Sequence, residues 1–311
     1  MGKRPSYKKL AQQKSVQQKP EQKAMQQKPE QKTAQQKLKQ KVAQQKPEQK
    51  AMPQKPEQKT AQQKIMPQKP KQKISMKKKP EVSIVIPSFN EEKYIGAVLS
   101  SIRRQKTSIS YEIIVGDGNS TDATVKIAKD HGARVIRENH GTPSGGRHEA
   151  AKMAKGKFIF FVSADVELSP TWLDNMVAVF SDKKVTWAVG RIRPFDANML
   201  EEFGGIILNL FTITLNPLGI AYVNADNLAA RADAYFKSGG FNPKKVTAED
   251  TDLGRRLMKT GKFAFAKNAT IFISMRRVRK WGYLNFILFH TRNFLMANIF
   301  SKSSEMYAPI R

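Results

Sequence analysis

Strands alternating with helices from Glu81 onward predict an α/β fold with a mostly parallel sheet flanked by helices. Three observations carry that expectation. Short β-branched and aromatic runs at residues 82–86, 111–115 and 158–162 are separated by amphipathic helical stretches. Two of those runs end on acids: Ile113-Ile114-Val115 leads into Asp117, and Phe158-Ile159-Phe160-Phe161-Val162 leads into Asp165. The first eighty residues, by contrast, are a Lys/Gln/Pro repeat with almost nothing apolar to bury. Ligands of open α/β sheets bind outside the carboxyl ends of the strands. Acids delivered there by separate strands could hold a cation and a nucleotide.

Each element follows from local pattern. The run Val82-Ser83-Ile84-Val85-Ile86 reads as a short strand stopped by Pro87, which has no N–H for a ladder. Residues 92–103 put Tyr94, Ile95, Val98, Leu99 and Ile102 on one helical stripe. A strand at 111–115, a helix at 123–130 and a strand around 134–136 come next, then a helix after Gly146 and the strand at 158–162. Ser169 and Pro170 form an N-cap and first-turn pair for a helix bearing Trp172, Leu173, Met176, Val177 and Phe180. A helix over 251–259 has the acids Glu249, Asp250 and Asp252 at its start, where they complement its dipole.

Charge divides the chain. Residues 1–80 hold 23 of the 55 Lys and Arg but only four of the 26 acids, a net charge of +19 against +10 for the rest. The repeat QQKPEQK starts at Gln17, Gln26 and Gln44 and returns as PQKPEQK at Pro53. This nine-residue beat matches neither a heptad nor a helical turn, and its prolines oppose helix. Such a segment is expected to stay disordered. It would act as an electrostatic tether to anionic lipid or nucleic acid, or simply as a solubilising extension. It lacks the apolar run of a secretory signal. About 230 residues remain, enough for one large α/β domain. The expected division is a tail at 1–80, a catalytic domain at 81–275, and a basic and aromatic amphipathic segment at 276–311. The absence of cysteine excludes disulfides and thiolate metal sites and fits a reducing compartment.

Four motifs in order resemble the family 2 glycosyltransferases of the GT-A fold, whose sheet is Rossmann-like. EVSIVIPSFNEEKYI is similar to that family's first strand and Pro-x-x-Asn-Glu turn, and GDGNSTDAT to its nucleotide-binding loop. GTPSGGRHEAAKMAKGKFIFFVSADVEL resembles the run ending in Asp-x-Asp, and GGFNPKKVTAEDTDLGRRLMKTGK the Gly-Gly-Phe followed by Glu-Asp. The resemblance covers residues 81–262.

It implies an inverting transfer from a nucleotide-diphosphate sugar to a hydroxyl acceptor, assisted by Mg²⁺ or Mn²⁺. Asp117 would accept a hydrogen bond from the nucleotide base, with Pro87, Phe89, Glu91, Asn119 and Ala164 along the same donor pocket. Asp117-Gly118-Asn119 is also a natural tight turn, and both readings can hold together. Asp165 would hold the metal, completed by substrate phosphates. The sequence departs from the pattern where Ser163 replaces the first acid; Glu167 offers a substitute carboxylate. Arg147, beyond the flexible Gly145-Gly146, matches a basic position near the diphosphate, although a helix-surface charge would look the same. Asp250 is the expected base, taking the acceptor proton, with Glu249 and Asp252 as competing carboxylates.

The acceptor side is marked by composition. Residues 203–225 carry no charge and are long enough to span a bilayer. One span there would put Asp165 and Asp250 on opposite sides, so the segment is expected to lie on a membrane, line an acceptor groove or pack as core. Residues 281–300 are aromatic-rich and follow Arg276, Arg277, Arg279 and Lys280, a pattern that reads as an interfacial anchor or a core helix. A cytoplasmic protein, peripheral at an anionic membrane and acting on a lipid-linked or other hydroxyl acceptor, is the expectation. Two rivals are weaker. A nucleic-acid partner would favour aromatics between the tail's lysines, which are lacking. A sugar nucleotidyltransferase would carry a Gly-rich phosphate loop after the first strand, where this chain has PSFNEEKY.

Overall fold

The computed structural model describes residues 79–300; the repeat expected to be disordered falls in residues 1–78, outside the described residues, as do residues 301–311. Eight strands form one sheet in the order β3-β2-β1-β4-β7-β6-β8-β5. They are β1 (Val82–Ser88), β2 (Tyr111–Asp117), β3 (Arg134–Arg137), β4 (Phe158–Val162), β5 (Val166–Leu168), β6 (Val185–Phe195), β7 (Asn227–Arg231) and β8 (Lys262–Ser274). The half containing β3, β2, β1 and β4 is parallel throughout. Beyond β4, β7 runs antiparallel to both β4 and β6, whereas β6 and β8 are parallel.

The first half follows the local pattern closely. α1 (Ile95–Arg103) buries Ile95, Val98, Leu99 and Ile102, and α2 (Thr124–Asp130) and α3 (Pro143–Lys152) complete the crossovers. Pro87 does not stop β1, which continues to Ser88. The pairing of β1 with β4 ends at Val85, so a missing N–H beyond that point is tolerated on a strand with one free flank. Gly145-Gly146 is not a flexible approach but part of α3. A Cβ on Gly116 would lie 2.1 Å from the Gly146 carbonyl, so glycine at both positions lets α3 lie directly on β2. α4 (Trp172–Ala178) takes Thr171 as its N-cap residue, two positions later than Ser169.

Core lies on both faces. Ile84, Ile86, Leu99, Phe160 and Trp172 fill one, and Val85, Ile114, Phe161, Trp187 and Phe241 fill the other. Their burial, at ~1.5–3 kcal/mol per large side chain, holds the strand ends in register.

The second half carries α5 (Met199–Leu215), α6 (Ala232–Lys237), α7 (Glu249–Leu257), α8 (Arg276–Trp281) and α9 (Tyr283–Phe300). α5 is inverted relative to ordinary surface helices, and α9, which buries Asn293 and Ala297, exposes apolar and polar residues alike. Inward they bury Glu201, Thr212 and Asn293, and Asn209 of α5 bonds both the N–H and C=O of Ile192. Outward they expose Phe203, Ile206, Leu210, Leu284, Ile287, Leu288 and Ile299. α5 opens with a capping box in which Asn198 and Glu201 satisfy each other's backbone N–H groups. The Arg279 Nε and Nη2 groups each donate at 2.8 Å to Glu201, holding its carboxyl down at about 2, and Tyr283 Oη donates to it as well. No described helix is long and apolar enough to cross a membrane.

Candidate active site

The carboxyl ends of β1, β2 and β4 open side by side. Asp117 ends β2 with no exposed surface. It accepts from the Ser120 N–H at 2.9 Å, the Ser120 hydroxyl at 2.5 Å and the Ser88 hydroxyl at 3.2 Å. Its carboxylate therefore holds the β2 turn and ties it to β1; a nucleotide base would add a bond to an acceptor already in use. Asn119 sits at φ 63°, a left-handed conformation that asparagine tolerates, and its amide donates to the Glu138 carbonyl at 2.9 Å. Glu138, not singled out from the sequence, is buried beside this turn and accepts from the His140 N–H at 2.6 Å. Pro87 is buried, whereas Phe89 is exposed.

Past β4, Ala164 is buried and the Asp165 carboxylate meets a guanidinium. Arg276 Nη2 lies 3.0 Å from Asp165 Oδ2 and 3.1 Å from Glu91 Oε2, and the guanidinium stacks 3.9 Å from the centre of the Tyr94 ring. Burial raises the Glu91 carboxyl above its ordinary range, opposed by Arg276 and reinforced by Asp165. Two carboxylates converging on one cation are a donor set that fits a hard divalent ion completed by phosphate oxygens. Among the described residues no cage of three or more such ligands forms.

A second cluster lies on the β7 side. Arg147, expected near a diphosphate, is buried instead among acids. Its Nη1 donates to Glu249 at 3.0 Å, and its Nη2 lies 3.4 Å from Ser163 Oγ and 3.5 Å from Asp226. Ser163 donates its hydroxyl to Asp226. The acid that meets Ser163 is thus Asp226, while Glu167 sits on β5 opposite Phe272. Asp226 escaped the sequence reading because only the antiparallel pairing of β7, with Asn227 opposite Val162, brings it there. No local periodicity announces such a pairing.

Asp250 lies in the first turn of α7 and accepts from the Thr251 N–H at 2.7 Å. Burial pushes its carboxyl up to about 7, with the Glu249 charge adding to the effect. Glu249 is also raised by burial, with Arg147 working against it. The Tyr222 phenol is raised too, by burial and then by the charge of Asp250. Tyr222 packs edge-on against Phe211, just inside the C-terminal end of α5, and Phe294 of α9 at 5.6 and 5.5 Å, so α5 and α9 adjoin this acid. A carboxyl that changes charge near neutrality can take a proton from a bound hydroxyl.

Residues 83–237 match the sequence profile of glycosyl transferase family 2. The chain belongs to that family. Over 107 residues it is 30% identical to the poly(ribitol-phosphate) beta-N-acetylglucosaminyltransferase TarS of Staphylococcus aureus, covering 32% of this chain and 19% of TarS. This chain therefore spans about a fifth of that relative. It is 26% identical over 209 residues to the O-antigen chain rhamnosyltransferase WbaN of Salmonella anatum, covering 62% of this chain and 65% of WbaN. Among solved structures, TarS residues 1–349 with UDP superpose at a TM-score of 0.52 and 17% identity, covering 72% of this chain and 67% of that one. The mannosyltransferase PcManGT from Pyrobaculum calidifontis, with GDP-Man and Mn²⁺, superposes at 0.54 and 19% identity, covering 66% and 60%. At such identities the structures establish a shared GT-A fold.

Proposed function

We propose that this protein is an inverting glycosyltransferase that moves a sugar from a nucleotide-diphosphate donor to a hydroxyl acceptor at a membrane surface. The observation that carries the reading is the place of Asp250 in the first turn of α7, next to Glu249 and its cluster with Arg147, Asp226 and Ser163 past β4, where its carboxyl is raised to about 7. In this reading the donor lies over β1, β2 and β4. Its base meets the turn at Asp117 and Asn119, with Pro87, Phe89, Glu91 and Ala164 along the pocket. A divalent ion, Mg²⁺ or Mn²⁺, would be held by Asp165 and Glu91 and would supply neutralisation of the leaving diphosphate. Asp250 accepts the acceptor proton as the hydroxyl attacks the anomeric carbon from the face opposite the phosphate. Glu249 is held by Arg147, and burial first and then the Glu249 charge keep Asp250 protonated until near-neutral pH. Arg147 positions this acid pair rather than the donor.

The acceptor is lipid-linked in this proposal. The uncharged segment before Asp226 and the outward apolar side chains of α5 and α9 support shallow insertion, because large exposed apolar faces mark interaction surfaces. The catalytic unit extends through α9, and the +19 tail adds electrostatic residence at anionic lipid, worth ~1 kcal/mol per juxtamembrane basic residue at low salt. The names of WbaN and TarS are in keeping with glycosyl transfer to large acceptors. Calorimetry with UDP- and GDP-sugars, with and without Mn²⁺, tests the donor assignment. Binding of at least one donor, strengthened by Mn²⁺, is expected; a protein that binds none of them is not this transferase.

A further inference from the structure

In the nucleotide-sugar reading the donor diphosphate calls for a protein cation. Arg147, the residue expected to supply one, is buried against Glu249, Asp226 and Ser163. At the mouth of β1 and β4 the guanidinium that touches both Asp165 and Glu91 is Arg276, at the first position of α8, with Arg277 near enough to act on Glu91. It comes from a basic cluster whose sequence suggests only membrane contact.

Its setting is that of a positioned anion ligand. A guanidinium carries five N–H donors in a rigid plane, of which Asp165 and Glu91 engage Nη2. The Nε is buried with no hydrogen-bond partner. Tyr94 stacks on one face of the plane and the two carboxylates grip one corner, so the group is held in orientation before any ligand arrives. Its side chain keeps 19% exposure. Charge balance points the same way. The two carboxylates offset the guanidinium charge of Arg276 and Arg277 around them, so a diphosphate needs further positive charge there. A divalent ion at Asp165 together with Arg276 and Arg277 brings the pocket close to neutral once the diphosphate is added. Planar N–H pairs suit phosphate oxygens better than a point charge does.

We propose that Arg276 is a donor-positioning residue that binds the diphosphate, pre-oriented by Asp165, Glu91 and Tyr94. This rests on the nucleotide-sugar reading and would make α8 part of the donor site. Hydrogen bonds to charged groups contribute about 1.5–3 kcal/mol, so losing the contact corresponds to roughly 10–150-fold in affinity.

The test measures UDP, GDP and the two parent nucleosides against the full chain and Arg276→Gln, with Mn²⁺ present, by ligand-observed NMR. The expected result is that the substitution weakens the diphosphate by tenfold or more and leaves the nucleoside unchanged. Arg276→Lys, which keeps the charge but not the plane, recovers part of the loss. Unchanged diphosphate affinity, or equal loss of diphosphate and nucleoside in a folded variant, overturns the proposal. A protein that binds no nucleotide even in its native form overturns the transferase reading itself, a separate result from an inert Arg276.

Discussion

The two halves of the sheet were built by different rules. From β3 to β4 every neighbour is parallel, α1 buries a regular apolar stripe, α3 lies on β2 through small residues, and Asp117 is spent on holding a turn. From β7 to β5 the pairings are mixed, α5 turns Glu201, Asn209 and Thr212 inward, and Glu249 and Asp250 are raised by burial, Asp250 further by the charge of Glu249. The first half resembles a rigid platform. The second stores electrostatic cost where chemistry is proposed, which is where local stability is ordinarily given up for function.

The sharpest way to break this contrast is Asp250→Asn. Losing a general base should lower turnover roughly 10²–10⁴-fold while donor affinity stays nearly constant. The same change should raise Tm. A buried acid whose folded pKa is raised stabilises the protein below its ordinary pKa of 3.8, and that contribution is lost as pH rises through about 7. The gain from Asn is therefore largest at pH 7 and above and vanishes toward pH 4, at roughly 2–4 °C per kcal/mol relieved in a domain of this size. Asp117→Ala should do the opposite. It removes a buried acceptor of three hydrogen bonds, leaves Ser88 and Ser120 short of partners, and lowers Tm together with nucleotide affinity, the latter by about 1.5–3 kcal/mol. A calorimetric melt beside a UDP or GDP titration checks both.

The next effect concerns the lock between α5 and α8. Glu201 is held ionised by Arg279, so its contribution is present above the ordinary glutamate pKa of 4.5 and is lost as pH falls through about 2. Arg279→Met strands a buried carboxylate and should lower Tm by several degrees at pH 7, with the deficit shrinking at acid pH. A deficit independent of pH would mean that packing, not charge, joins these helices.

The smallest effect on the fold should be the most visible on lipid. Ile206→Ser or Leu288→Ser alters an exposed side chain and should leave Tm almost unchanged. Each should lower partitioning onto anionic vesicles by about 1.5–3 kcal/mol if the side chain inserts fully. Unaltered partitioning would detach α5 and α9 from the membrane reading.

The same contrast explains what could be read from the sequence. Residues 95, 98, 99 and 102 announced α1 because a helix of period 3.6 must repeat its apolar positions, and β1, β2 and β4 appeared as runs because a parallel strand is covered on both faces. Asp165 and Asp250 became candidates through motif order. Asp226 and Arg276 did not, since their positions arise from an antiparallel partner and from a helix more than a hundred residues beyond Asp165. Arg147 was visible but misdirected: its number in the motif gives a helix position, and only packing against Phe241, with Glu249 in reach, gives its direction. The uncharged stretch was recognised as unusual, yet its polarity inversion depends on which backbone groups of β6 face Asn209.

The central claim, transfer of a sugar with inversion using Asp250 as base, is tested most directly by labelled donor and a membrane fraction as acceptor. Label incorporated into solvent-extractable lipid is compared for the native protein and Asp250→Asn at pH 6 and pH 8, and the anomeric configuration of the product is read by NMR. The account predicts incorporation that rises with pH through about 7, an inverted anomeric centre, and near-complete loss in the variant. Retained configuration, or a variant as active as the native protein, would contradict it.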